Sequence, residues 1–187
     1  MPEFYKTIEG DLFDFEDYYL RVAEEMPDNA RMVEVGIANG KSLIFLAEAM
    51  VSLGKNFRLI GVDNCAYGGV DQRNYIMKNI VKSDMAEYVE FWEMDSLAAS
   101  CKFNDHSLHH VFLDSSHKYE ETKAELRLWY RKVMDNYSLA GHDVYTIQDV
   151  ATAVSEVFDE TGAWYTSYTS KGYGVFQVIK NEKLTPR

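Results

Sequence analysis

Two cysteines, Cys65 and Cys101, are all that the 187-residue chain contains, and neither belongs to a CxxC pair or any other metal-ligand spacing. A cysteine zinc site and a disulfide framework are therefore excluded, and both residues read as free thiols. Prolines are equally scarce (Pro2, Pro27, Pro186), and no repeat or low-complexity tract breaks the chain. Without a linker, residues 1–187 read as a single domain, with 1–28 as an N-terminal helical lead-in. No stretch approaches the roughly 18 apolar residues of a membrane span. The opening MPEFYKTIEGD has no basic region followed by an apolar one, so no secretory signal is read there and a cytoplasmic protein without a membrane partner is expected. Positive charge is also in deficit: 19 Lys and Arg face 30 Asp and Glu, a net charge of -11. Such a field repels polyphosphate, which argues against a nucleic-acid partner and for a small molecule.

What is present is apolar and aromatic, 47% and 14% of the chain, enough for a sizeable core. Phe13 to Glu25 is amphipathic and ends in Pro27-Asp28-Asn29, a leading helix with turn chemistry behind it. Strand-like runs follow at Arg31–Gly36, Phe57–Asp63, Tyr88–Asp95, His110–Asp114 and Tyr137–Gly141. Between them lie helical patterns over Lys41–Leu53, Asp71–Met85 and Tyr119–Met134, and Ile147, Val150, Val154 and Val157 mark another. Trp164–Thr169 and Tyr173–Ile179 flank Ser170-Lys171-Gly172 as a terminal hairpin. Alternating strands and helices predict an α/β fold with parallel strands, and the hairpin adds an antiparallel edge.

In an open parallel sheet a ligand lies beyond the carboxyl ends of the strands. Those ends carry Glu34-Val-Gly36-Ile-Ala-Asn-Gly40, Asp63, Asp95-Ser96, Asp114-Ser-Ser-His117 and His142-Asp143. Five polar strand ends in succession are hard to explain as solvation alone. Gly36 and Gly40 stand three residues apart, without the GxGxxG spacing that seats a pyrophosphate on a helix N-terminus. Such a loop suits a ligand of little negative charge. A carboxylate at Asp63 can accept hydrogen bonds from vicinal ribose hydroxyls. Together these features point to a nucleoside-containing ligand.

These blocks resemble those of class I S-adenosylmethionine (SAM)-dependent methyltransferases, and among them the macrocin-type O-methyltransferases. The likeness runs from about Phe13 to Ile179, through Val33–Ser42, Ile60–Asp63, Met94–Ser96, Leu113–Tyr119 and Ala140–Asp143. It implies a Rossmann-like seven-stranded mixed sheet in the order 3-2-1-4-5-7-6, strand 7 antiparallel, with helices on both faces. It also implies that Gly36 and Gly40 admit the methionine part of the cofactor, with Glu34 and Ser42 near its amino and carboxylate groups. Asp63 would hold the ribose, Asp95 and Ser96 border the adenine, and Asp114 sit beside the sulfonium and the acceptor. One departure is visible, since Asn136-Tyr-Ser138 stands where the family carries a Gly-Gly turn.

Methyl transfer to a hydroxyl needs alignment and a base, and histidine is the natural base at neutral pH. His117 and His142 both fall at the expected rim, and His142 is preferred because it directly follows a strand. Asp114 and Asp143 are oxygen ligands suited to Mg²⁺ or a similar hard cation. The expected activity is O-methylation of a small hydroxylated molecule, a sugar or a natural product. Two other readings stay open: a SAM-binding module without activity, and a nicotinamide-dependent oxidoreductase, which the glycine spacing disfavours. Selectivity is expected from the leading helix, from Asn64–Asn74 with Tyr67, from Tyr75 and from Tyr145. A homodimer is an open option.

Overall fold

In the computed structural model, residues 2–10, 13–66, 68–158, 164–167 and 169–181 are described. A 3₁₀ turn at Phe4–Thr7 leads into α1 (Glu16–Glu25), β1 (Ala30–Val35), α2 (Lys41–Ser52), β2 (Phe57–Asp63), α3 (Gly69–Lys82), β3 (Val89–Glu93) and α4 (Ser96–Ser100). Then come β4 (Leu108–Leu113), α5 (Tyr119–Lys132), β5 (Val133–Gly141), α6 (Gln148–Phe158), β6 (Trp164–Ser167) and β7 (Val175–Ile179). The seven strands form one sheet in the order β3-β2-β1-β4-β5-β7-β6. β1 pairs in parallel with β2 and β4, and β7 runs antiparallel to both β5 and β6. Strand order and the antiparallel β7 agree with expectation.

Side-chain alternation along the strands divides the core in two. Met32, Leu59, Val89 and Phe112 pack with α1, α2 and α3, while Val33, Val35, Val111 and Leu113 pack with α5 and α6 on the other face. Because β1 and β4 are covered on both faces, their runs are almost continuously buried.

Several boundaries differ from the sequence-based ones, each for a local reason. Helix α1 starts at Glu16 rather than Phe13, because Phe13 and Phe15 pack against each other and into the core from an extended segment. Helix α5 ends at Lys132 and β5 begins at Val133 with no loop between them. The carbonyls of Tyr130, Arg131 and Val133 are satisfied by the ammonium of buried Lys180, at 3.1, 3.2 and 2.7 Å. A capping cation 47 residues or more along the chain leaves no local sign of where the helix stops. Lys55 does the same for α1, donating to the carbonyls of Ala23, Glu24 and Met26. Asn136, standing where the family carries glycine, adopts a left-handed φ of 69°. Asparagine tolerates that region, and it does so inside β5, where a turn before the fifth strand was expected.

His110 lies in β4, 1% exposed among Tyr18, Tyr19 and Phe112, with Nδ1 2.8 Å from Ser138 Oγ. Burial pushes its pKa down to about 3. The unfolded ring titrates near 6.5, so below that pH the unfolded state binds the extra proton and stability falls until about pH 3. At about pH 5 this amounts to about 2 kcal/mol relative to about pH 7. Urea unfolding at the two pH values should show the difference shrinking by about that amount in His110→Gln.

Candidate functional site

A cavity of about 1050 Å³ opens at the carboxyl ends of the central strands. Its wall contains Gly36, Ser42, Asp63, Asp95, Ser96, Asp114, His117, His142 and Asp143. Eight positions read from five separate strand ends, and Ser42, which the resemblance implied, thus line one cavity. Glu34 and Gly40, predicted as cofactor contacts, are not part of that wall. Alternation along β1 places Glu34 on the side of Met32, beneath α1 and α2, where it is buried and accepts a hydrogen bond from Ser42 Oγ. Gly40 is the N-cap of α2 with a left-handed φ of 81°, its amide donating to Ile37 O at 2.6 Å. Its contribution is to let the loop turn into the helix.

The first loop is organised by Asp63. Its Oδ2 accepts from the amides of Ile37 and Ala38 at 3.0 and 3.1 Å, and its Oδ1 from Cys65 N at 2.8 Å. Ala38 and Cys65 both hold positive φ, 44° and 52°, and the hydrogen bonds to Asp63 offset that backbone cost. Burial raises the Asp63 pKa, opposed by those three amides. Three of the roughly four acceptor sites of the carboxylate are used, so there is room for about one further donor. Helix α3 supports the loop, Gln72 Nε2 donating to Ala38 O and Asn79 Nδ2 to Asn39 O. Gln72 falls within the Asn64–Asn74 stretch expected to set selectivity, though not as a support of the loop, and nothing in the sequence marks Asn79, since helical spacing identifies neither as functional.

Asp95 caps α4, accepting from Ala98 N at 3.0 Å, and Ser96 Oγ accepts from Trp129 Nε1 at 3.0 Å. Both residues therefore hold structural bonds while bordering the cavity. Ser115 donates to both oxygens of Glu125, and Thr122 Oγ1 to Ser116 O, which fixes the loop carrying Asp114 and His117. Burial raises the Glu125 pKa.

Two imidazoles and two carboxylates of the cavity wall, His117, His142, Asp114 and Asp143, converge with a third carboxylate, Asp14, buried behind His142. His117 Nε2 lies 2.9 Å from Asp143 Oδ2 and 3.9 Å from Asp114 Oδ1. His142 Nε2 lies 2.8 Å from Asp14 Oδ1, and its Nδ1 is 3.7 Å from both Asp114 Oδ2 and Asp143 Oδ1. The neighbouring carboxylates of Asp114 and Asp143 push the His117 pKa up to about 10. Burial pulls His142 down, but Asp114, Asp143 and Asp14 outweigh it and its pKa is raised. Burial likewise pushes Asp114 up, and the two imidazoles overcome it, so its carboxyl is held below the usual range. Asp143 itself sits at φ 63°, a strained backbone at the end of β5. Ligand atoms of Asp114, His117 and Asp143 all lie within 4.8 Å of one another, a spacing open to a cation.

Of the aromatic residues expected to set selectivity, Phe15 and Tyr75 line the cavity, as does Tyr173 from the terminal hairpin segment. Tyr145 is partly exposed, bonded to Thr166 Oγ1 and packed over Gly174. Tyr67 lies outside the described residues. Both cysteines are free, Cys65 buried and Cys101 exposed. Among the described residues no helix is long and apolar enough to cross a membrane.

Comparison with solved structures returns the same architecture. An O-methyltransferase from Bacillus cereus in complex with SAH superimposes with a TM-score of 0.68 at 16% identity, over 94% of this chain and 86% of that one. The O-methyltransferase TomG from Streptomyces achromogenes, involved in tomaymycin synthesis and in complex with SAM, gives 0.64 at 15%, over 97% and 91%. CalS11, a TDP-rhamnose 3'-O-methyltransferase of calicheamicin biosynthesis, gives 0.68 at 16%, over 89% and 77%. These likenesses establish the fold. No curated protein sequence matches the chain. A family model described as a methyltransferase domain matches residues 33–144, from the first strand through the His142-Asp143 pair. With more than half of its length in that match and the sheet order given above, the chain belongs to the methyltransferase-domain family and has the class I methyltransferase fold.

Proposed function

We propose that this protein is a SAM-dependent O-methyltransferase acting on a small hydroxylated molecule, a sugar or a natural product, and allied to the macrocin-type group. The observation that carries the reading is the continuity of the cavity. One wall runs from the Gly36 loop and Asp63, past Asp95 and Ser96, to Asp114, His117, His142 and Asp143. SAM supplies an electrophilic methyl group on a sulfonium. Ser42 and the Gly36 loop would hold its amino-acid part, Asp63 with its remaining acceptor capacity the ribose, and Asp95 with Ser96 the adenine. Glu34 acts at one remove, by orienting the Ser42 hydroxyl.

At the other end, His142 takes the proton of the acceptor hydroxyl through Nδ1, the ring nitrogen turned toward Asp114 and Asp143. Asp114 faces both imidazoles and stabilises the imidazolium so formed. Asp114, Asp143 and the Nε2 of His117 fit a divalent cation, which would orient the acceptor and lower its hydroxyl pKa. With an imidazole nitrogen in the set, Mn²⁺ competes with Mg²⁺ for such a site. A cation there would displace the proton from His117 Nε2.

Calorimetry against SAM and NAD separates this reading from an oxidoreductase. We expect a one-to-one response to SAM and none to NAD; NAD binding without SAM binding contradicts the proposal. Transfer of a labelled methyl group from SAM to a panel of sugars and phenols tests activity. Turnover that falls at least about tenfold with chelator and returns with Mg²⁺ or Mn²⁺ supports the cation. Unchanged turnover removes it.

A further inference from the structure

The base proposed above is held from behind by a residue far from it in sequence. Asp14 precedes α1, outside residues 33–144 of the family match, and is 2% exposed. Its Oδ1 is 2.8 Å from His142 Nε2, and its Oδ2 receives the Thr169 hydroxyl and the Lys171 amide, the latter at 2.9 Å. The Asp14 carbonyl accepts from Ser170 N and Ser170 Oγ, both at 3.2 Å. The segment before α1 and the hairpin before β7 are thereby tied together around this one side chain. Phe15 packs on the His142 ring at 4.9 Å between centroids, and Tyr173 at 5.6 Å.

We infer that Asp14 is a positioning residue, fixing the His142 ring so that Nε2 carries a proton and Nδ1 faces the cleft. A backbone amide can only donate, and an ionised carboxylate can only accept. With the Lys171 amide and the Thr169 hydroxyl directed at Oδ2, the remaining oxygen meets His142 Nε2, which must then be the donor. The proton that comes and goes during transfer therefore belongs to Nδ1. A carboxylate behind a histidine that sets its tautomer and stabilises the imidazolium is a known solution for a general base. Here the carboxylate arrives from outside the segment that carries the other carboxylates and imidazoles of the site, so the base is oriented only when residues 13–15 are docked on the hairpin.

The inference rests on His142 as the base, but its first test does not. In ¹⁵N-histidine NMR of the full chain with SAH, assigned with His142→Gln, Nε2 should give an N–H signal with a slowly exchanging proton, whether or not Nδ1 is protonated. A lone-pair signal at Nε2 in the wild-type protein overturns the inference, whether or not Asp14→Asn folds. Asp14→Asn is the second test. With its oxygen kept by Thr169 and Lys171, the asparagine turns its NH₂ toward Nε2 and drives the ring proton to Nδ1. Transfer should fall at least about 100-fold while SAH affinity stays within about twofold. Wild-type rates in Asp14→Asn, with Nε2 still protonated, would also overturn it. If the wild-type protein methylates none of the panel, the functional reading fails while the NMR result still decides the role of Asp14.

Discussion

His142→Ala is expected to lower methyl transfer by about 10² to 10⁴-fold, the usual contribution of a positioned general base. SAM affinity should change by less than about threefold, because the ring's polar and aromatic partners are Asp14, Asp114, Asp143, Phe15 and Tyr173, none of them on the Gly36 loop or at Asp63. Single-turnover kinetics with saturating SAM separates the two quantities. Loss of transfer together with loss of binding would make His142 structural. His117→Ala offers the contrast. His117 is half-exposed and bonded to Asp143 at 2.9 Å, so its removal acts through the carboxylates. Its effect should depend on the divalent cation supplied, and that of His142→Ala should not.

Gly36→Ala is expected to abolish SAM binding and to destabilise the fold. Gly36 holds φ 80°, and a Cβ there would stand 2.1 Å from the carbonyl oxygen of Asp114, 2.5 Å from its carbonyl carbon and 2.7 Å from the Ser115 Cα. All three are backbone atoms and cannot swing aside. The left-handed conformation costs about 1–2 kcal/mol for a residue with a Cβ, and overpacking typically adds about 1–3 kcal/mol. Relief requires β1 and β4 to part where both end at the cavity, which moves Asp114. Chemical denaturation should show a loss of about 2–5 kcal/mol, and calorimetry no response to SAM. Normal affinity in Gly36→Ala would mean that the close approach of these strand ends is unimportant to the site.

The strand ends were legible because a parallel sheet obliges them to be. β1 and β4 are buried on both faces, through Met32 and Phe112 on one and Val33, Val111 and Leu113 on the other, so their runs read as strands and Asp63, Asp95, Asp114 and His142 could be placed at one rim from pattern alone. Glu34 was not, because its role turns on which face of β1 it occupies, and a strand buried on both faces carries no polar alternation to say so. Asp14 was invisible for a different reason. It is 128 residues from His142, and no local spacing records a contact closed by tertiary packing. The 3₁₀ turn at Phe4–Thr7 is similar: the amides of Glu3, Phe4 and Tyr5 donate to the Glu48 carboxylate on α2. The short helix α4 escaped because only its cap, Asp95, has a sequence signature, and that aspartate was already assigned to the ligand.

A crystal structure with SAH and Mg²⁺ bears most directly on the central claim, that one cleft joins a nucleoside site to a His142-based acceptor site. The ribose hydroxyls should lie on Asp63, the amino-acid part against Ser42 and the Gly36 loop, and the sulfur should be turned toward Asp114 and His142. SAH bound away from Asp63, or with its sulfur facing away from the two histidines, would contradict it.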